Sequence, residues 1–371
     1  VTLDHCYQGD CRDVMRSLIA DGVRVQCIVT SPPYWGLRDY GVAGQLGMEP
    51  TLREFIANMV EVFDLCRELL ADDGTLWLNM GDSYAGSRGG GAPSDSSTLL
   101  GNGHRGGGPK IKSMTASLRR DDAPIPRNDV RVEGLKPKDL VGQPWRLAFA
   151  LQDAGWWLRQ DIIWHKPNPM PESVRDRCTK AHEYLFLLTK SERYYFDADA
   201  IKEPASGTEA RPQQRRAAEL AAEHGLTEEH IAAIRAVGIT DAGKAQVTQT
   251  GFGKNDAVVQ AMADEAKAVL GGYYREFLMA EDRNKRSVWS ISTKPYKAAH
   301  FATFPEALVE PCVLAGTRPG DIVFDPFMGS GTVASVAQRL GRRWLGAELN
   351  PEYIALQAER TRQSGLNLEI A

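Results

Sequence analysis

The stretch Ile322-Val323-Phe324-Asp325-Pro326-Phe327-Met328-Gly329-Ser330-Gly331-Thr332 constrains the fold more than any other. A short apolar run ends in a carboxylate and a proline, turns through two glycines and enters a helix-like run from Val333 to Leu340. This is a strand–turn–helix unit. Glycines at such a bend let the backbone approach a ligand closely, and the helix start presents free N–H groups. The spacing is Gly-x-Gly: it lacks the third glycine of the dinucleotide fingerprint, and no Gly-Lys-Ser/Thr follows to hold a triphosphate. Alone, the unit is weak evidence for any ligand.

Two further units strengthen it. Trp344-Leu345-Gly346-Ala347-Glu348-Leu349-Asn350 reads as the next strand and ends in a carboxylate. In a doubly wound sheet an acidic side chain there accepts from ribose hydroxyls, although Glu348 also suits a plain strand-end surface charge. Asn350 and Pro351 then suit an N-cap and first helical position. Near the other end, Val25 to Val29 reads as a buried strand running through Thr30 into Ser31-Pro32-Pro33-Tyr34. The prolines remove two backbone donors and stiffen the corner. Such a corner leaves a carbonyl free and holds an aromatic ring in a fixed pose, as gripping a flat, amine-bearing ring requires. Read alone, it is more readily a plain Pro-Pro loop.

The rest of the pattern is α/β. Thr51-Leu52-Arg53-Glu54 is a capping box, after which Phe55, Met59, Phe63, Cys66 and Leu70 recur at helical spacing up to Asp73-Gly74. Leu76 to Met80, Trp157 to Trp164 and His182 to Thr189 read as strands, and a helix runs from Pro144 to a stop at Gly155. Strands alternating with helices imply a mainly parallel sheet with helices on both faces.

Ser-Pro-Pro-Tyr together with Asp-Pro-Phe-x-Gly-Ser-Gly-Thr resembles the DNA amino-methyltransferases that use S-adenosylmethionine (AdoMet). With Ser-Pro-Pro-Tyr first and the glycine motif near the end, the order is similar to the β class, a circular permutation of the usual arrangement. The resemblance implies a permuted Rossmann-like fold with a largely helical target-recognition insertion; part of the central sheet pairs antiparallel in such enzymes. It divides the chain into catalytic segments 1–85, 135–203 and 288–371, a Gly-rich insertion at 86–134 and a target-recognition region at 204–287. It implies Ser31 Oγ and the Pro32 carbonyl as acceptors for the target amine, Pro33 as a stiffener, and Tyr34 stacking on an extruded base. For the cofactor it implies Phe327, Gly329 and Gly331 as packing surface, Asp325 near the amino-acid end, Thr332 closing the turn and Glu348 on the ribose. Asp10 resembles the acceptor for the adenine amine; by itself it would read as a surface turn. Phe301 and Thr303 fall where the family's remaining cofactor motif lies. No metal is expected.

Composition is that of an ordinary globular protein: 371 residues, 25% charged, 43% hydrophobic, net charge -4 and a pI near 6.0. That argues against a protein that coats nucleic acid but not against local basic faces. The six cysteines show no Cys-x-x-Cys pair and no His partners at zinc spacing, and read as reduced, mostly buried thiols of a cytosolic protein. No apolar run approaches a membrane span and no signal-peptide pattern opens the chain, so a cytoplasmic setting is expected. The first residue is Val1 rather than methionine, which suggests trimming.

The insertions differ in composition. Residues 86–108 are rich in Gly and Ser and cannot build a core. The segment reads as a passive linker or as a loop that orders on DNA, with Arg88, Arg105, Lys110, Lys112, Arg119 and Arg120 on phosphates; the second is favoured because the segment leaves the sheet just after Gly81-Asp82. Gln213 to Glu223 and Thr227 to Val237 read as a helix pair, suited to a major groove or to packing as an ordinary hairpin. Lys254, Arg275, Lys285 and Arg286 supply positive charge and are candidate DNA contacts.

Serine at the head of the tetrapeptide leans toward cytosine N4 as the methylated amine, with adenine N6 as the alternative. RNA or protein methylation, and a DNA-binding module without catalysis, are more remote. The resemblance further admits a homodimer and a separately encoded restriction endonuclease as partners beside double-stranded DNA. Pro311-Cys312 resembles the nucleophile of cytosine C5 methyltransferases, but it lies in the apolar, helical run Ala307 to Leu314 and reads as core.

Overall fold

The computed structural model describes residues 1–36, 42–85, 134–172, 174–204, 212–238, 257–278, 282–293 and 305–362. Along the chain the elements are β1 (His5–Gln8), α1 (Cys11–Ala20), β2 (Val25–Thr30), α2 (Leu52–Leu69), β3 (Leu70–Met80), α3 (Gln143–Asp153), β4 (Trp157–His165) and β5 (His182–Thr189). There follow β6 (Glu203–Pro204), α4 (Pro212–Glu223), α5 (Glu228–Val237), α6 (Ala257–Leu270), α7 (Tyr274–Leu278) and β7 (Asp282–Arg283). The chain closes with β8 (Val288–Ser290), α8 (Glu306–Gly316), β9 (Ile322–Asp325), α9 (Thr332–Arg339), β10 (Arg343–Glu348) and α10 (Pro351–Arg360).

Eight strands form one sheet in the order β1-β10-β9-β2-β3-β5-β4-β8. The first five are mutually parallel, β5 runs antiparallel to β3 and to β4, and β8 is parallel to β4. This is the mainly parallel sheet with a partly antiparallel centre expected from the sequence. Alternation along the strands supplies both faces. Ile28, Leu76, Leu78, Phe324 and Leu345 join one buried cluster with α1, α2 and α3. From the opposite face of β2 and β3, Cys27 and Thr75 meet α8 at Cys312 and Gly316.

Local signals account for the helix starts. Thr51 and Glu54 close their capping box on α2, and Asn350 caps α10 with Pro351 behind it. One boundary differs from expectation. The helical spacing through Leu70 predicts a stop at Asp73-Gly74, but α2 ends at Leu69 and the longer β3 begins at Leu70. Leu70 is fully buried and pairs with Val25, so the sheet claims it in extended form. Helix α1 was not foreseen, although its Asp10 cap and apolar Met15 and Leu18 are legible afterwards.

Chain contacts separate residues 1–200 with 286–371 from a second compact unit, residues 201–285. In that unit the foreseen helix pair, α4 and α5, packs on α6 and α7 around Ala221, Ile234, Ala266 and Leu270. The pair thus sits in a small helical core of its own.

Candidate active site

Parallel strands end together, and ligands of such sheets bind at that carboxyl edge. The carboxyl ends of β1, β2, β3, β9 and β10 carry Gly9-Asp10, Ser31 to Tyr34, Gly81-Asp82, Pro326 to Gly331 and Leu349-Asn350 respectively. The β4–β5 connection opens at the same edge, because β5 antiparallel to β3 brings Tyr184 opposite Met80.

A cleft open to solvent is lined by residues from both ends of the chain, among them Asp10, Pro33, Phe327, Gly329, Glu348 and Tyr353. Glu348 anchors the glycine turn: Gly329 N donates to its Oε2 at 2.8 Å and Asn350 N to its Oε1 at 2.7 Å. Burial pushes the Glu348 carboxyl above its ordinary range. Gly329 and Gly331 have φ of +52° and +85°, the left-handed region that favours glycine. A Cβ on Gly331 would also lie 3.0 Å from Gln357 Cγ.

The other foreseen cofactor residues lie around this cleft in different ways. Asp10 lines it and caps α1, but Arg12 holds the carboxylate at 2.6 and 3.0 Å, and that guanidinium keeps the carboxyl below its usual range. Asp325, Gly331 and Thr332 are not among the lining residues. Asp325 is wholly buried: Oδ1 accepts from Thr30 Oγ1 at 2.7 Å and from Phe327 N at 2.9 Å. Its Oδ2 has no hydrogen-bond partner among the described residues, and burial pushes the carboxyl up to about 7. Thr332 accepts from Arg360 Nη1 at 2.9 Å. Phe301 and Thr303 lie outside the described residues.

The corner at the end of β2 is held from several sides. Trp35 N donates to Gln143 Oε1 at 3.1 Å and Gly36 N to the Gly47 carbonyl at 2.8 Å. The Tyr34 hydroxyl is engaged from across the sheet: it donates to Glu183 Oε2 at 2.9 Å. Burial, then the Glu183 charge, push the phenol well above its ordinary pKa, while Ser31 and the Gly81 backbone act against them. The residue as a whole stays half-buried.

Sequence reasoning missed Glu183, Gln357 and Arg12. A signal existed for the first, a carboxylate at the head of the apolar strand His182 to Thr189. None existed for Gln357, which sits on a helix remote in sequence yet donates to the Gly329 carbonyl at 2.6 Å. Of the foreseen DNA-contact residues, Arg275 lies 5.9 Å from the Tyr274 ring centroid, Lys285 ends the helical unit, and the Arg286 carbonyl accepts from Trp289 Nε1. Arg88, Arg105, Lys110, Lys112, Arg119, Arg120 and Lys254 lie outside the described residues. Cys312 is buried in α8 with its thiol on the Leu308 carbonyl, away from the cleft, in keeping with a core role. Four more cysteines are buried and Cys178 is exposed. No group of metal-ligating side chains, and no helix long and apolar enough to cross a membrane, occurs among the described residues.

A glycine turn at the switch of a permuted Rossmann-like sheet, facing a proline-stiffened aromatic corner across one cleft, defines the class of AdoMet-dependent methyltransferases. The cleft's chemistry fits that cofactor: two carboxylates for a cationic nucleoside and the Phe327 and Tyr353 rings for its flat base. The chain belongs to the DNA methylase family, whose N6/N4 model matches residues 25–360. It is 40% identical to the Type II methyltransferase M.Cfr9I of Citrobacter freundii over 98% of this chain and 89% of that one. It is 41% identical to the Type II methyltransferase M.SmaI of Serratia marcescens over 95% and 88%. The solved PvuII DNA methyltransferase, titled cytosine-N4-specific, shares the fold with a TM-score of 0.52 and 16% identity over 97% and 87% of the two chains. The chain is accordingly an AdoMet-dependent DNA methyltransferase.

Proposed function

We propose that this enzyme transfers the methyl group of AdoMet to the N4 amine of cytosine at specific sites in double-stranded DNA. The observation that carries the reading is the Ser31-Pro32-Pro33-Tyr34 corner at the carboxyl end of β2, with Pro33 lining the same cleft as Phe327 and Glu348. When bound, AdoMet supplies an activated methyl on a sulfonium. The protein's task is then alignment and local electrostatics.

An exocyclic amine is a poor nucleophile because its lone pair is delocalised into the ring. Two acceptors that take its N–H groups rotate the lone pair out of conjugation and toward the methyl. Ser31 Oγ and the Pro32 carbonyl serve as those acceptors, and the Tyr34 ring stacks on the base, offsetting part of its unstacking cost. Ser31 is neutral, so the amine's proton leaves after methyl transfer rather than before it. Glu348 and Asp10 hold the nucleoside part of the cofactor, with Phe327 and Gly329 forming its packing surface.

A serine, rather than an aspartate, at the head of the tetrapeptide supports cytosine. The Type II relatives support a separately encoded restriction endonuclease as a functional partner and a cytoplasmic setting. The helical unit at 201–285 is proposed to read the target sequence. Incubation with labelled AdoMet and unmethylated duplex DNA, followed by nucleoside digestion and mass spectrometry, tests the reading. N4-methylcytosine is the expected product; N6-methyladenine alone would transfer the assignment to adenine, and label on RNA but not DNA would sink it.

A further inference from the structure

The phenol of Tyr34 lies at the meeting point of three strands that follow it in the chain. Glu183, at the head of β5, accepts the Tyr34 hydroxyl on Oε2 at 2.9 Å. From β3, Asn79 Nδ2 donates to the same oxygen at 3.3 Å and to the Tyr184 carbonyl at 3.1 Å. Just beyond β4, Lys166 Nζ donates to Glu183 Oε1. The Lys166 and Glu183 side chains are only 18% and 17% exposed, and the ammonium also sits 4.3 Å from the Trp164 ring centroid. Gly81 completes the frame: a Cβ there would lie 2.9 Å from Tyr34 Cε2 and 3.2 Å from Glu183 Cδ.

A largely buried ion pair is weak support for stability, because desolvation offsets much of its attraction. Its geometry here has another consequence. A ring anchored only at Cβ swings about its first side-chain torsion; a ring also tied at its far oxygen does not. We infer that Glu183 is a positioning residue for methyl transfer. Its carboxylate, held by Lys166 and Asn79, fixes the para oxygen of Tyr34, so that the ring meets an extruded base in one orientation. The inference rests on the stacking role proposed for Tyr34. A merely structural Lys166–Glu183 pair would tie β4 to β5 whether or not Tyr34 carried a hydroxyl.

A double-mutant cycle separates these cases. Single-turnover transfer from tritiated AdoMet to unmethylated genomic DNA is measured for the wild type, Glu183→Gln, Tyr34→Phe and the double variant, with AdoMet affinity measured by calorimetry. Each single variant is expected to slow transfer about 10- to 100-fold, the range that misplacement of a reacting group by about an ångström produces. AdoMet affinity should stay within about twofold, and the double variant should be no slower than the slower single one. Wild-type rates in Glu183→Gln, or effects that multiply in the double variant, would overturn the inference. Should Glu183→Gln lose AdoMet binding through misfolding, Tyr34→Phe decides alone: slowed transfer supports the positioning role and an unchanged rate refutes it. No transfer by the wild type would instead defeat the functional reading itself.

Discussion

Asp325 shows how one buried carboxyl ties stability to pH. Burial raises its carboxyl from an ordinary 3.8 to about 7, against the pull of the Thr30 hydroxyl and the Phe327 amide. Between these values the folded chain keeps a proton that the unfolded chain has released. This group's contribution to stability is therefore complete below the unfolded value and is lost as pH rises through about 7. The cofactor-free enzyme should melt at a lower temperature at pH 8 than at pH 5.5. Asp325→Asn, which keeps an oxygen for Thr30 and Phe327, should flatten that slope and stabilise the pH 8 protein by on the order of 2 kcal/mol. A slope unchanged in the variant would assign the effect elsewhere. Gly81→Ala tests the Tyr34 frame at the same scale: its Cβ would press on Cε2 of the ring, so transfer should fall at least tenfold with AdoMet affinity retained.

At the scale of elements, the glycine turn between β9 and α9 does not hold itself. Helix α10 does so through Gln357, whose amide donates to the Gly329 carbonyl, and through Arg360, which donates to Ser330 and Thr332. Gln357 is buried against Gly331, so Gln357→Ala both frees a carbonyl and opens a void. Calorimetry should find AdoMet bound about tenfold more weakly, with a loss of about 1–3 kcal/mol in unfolding free energy. Helix α8 provides the contrast. Cys312 donates to Leu308 inside it and faces the sheet, so Cys312→Ala should cost roughly 1 kcal/mol of stability and leave transfer within about threefold. Loss of transfer in a folded Cys312→Ala protein would restore the nucleophile reading.

At the scale of the molecule, the cleft joins the two ends of the chain, with β1 paired to β10 and β2 to β9. AdoMet should therefore slow hydrogen exchange together in peptides around Asp10, Phe327 to Gly331 and Glu348 to Tyr353. Peptides of the helical unit at 201–285 should respond to DNA instead. Protection confined to the C-terminal segments would show that the N-terminal wall contributes nothing to binding.

Much of this was legible before any coordinates. Strand and helix periods follow from side-chain alternation, and turns from Gly and Pro, both local properties of the chain. The resemblance carried by Ser31 to Tyr34 and Asp325 to Thr332 went further, to the fold class and the cofactor. The sequence alone thus determined the elements and the chemistry expected of them. Only the tertiary structure decided that Asp325 is withdrawn from the cleft, that Arg12 occupies Asp10, that Leu70 belongs to the sheet and that Glu183 holds Tyr34. Asp325 meets Thr30, and Tyr34 meets Glu183, across long stretches of chain, and Leu70 is claimed by pairing with Val25 on another strand, so these contacts leave no periodic trace for a local reading to find. Arg12 is a near neighbour of Asp10, but which way its flexible side chain turns is set by packing and not by spacing.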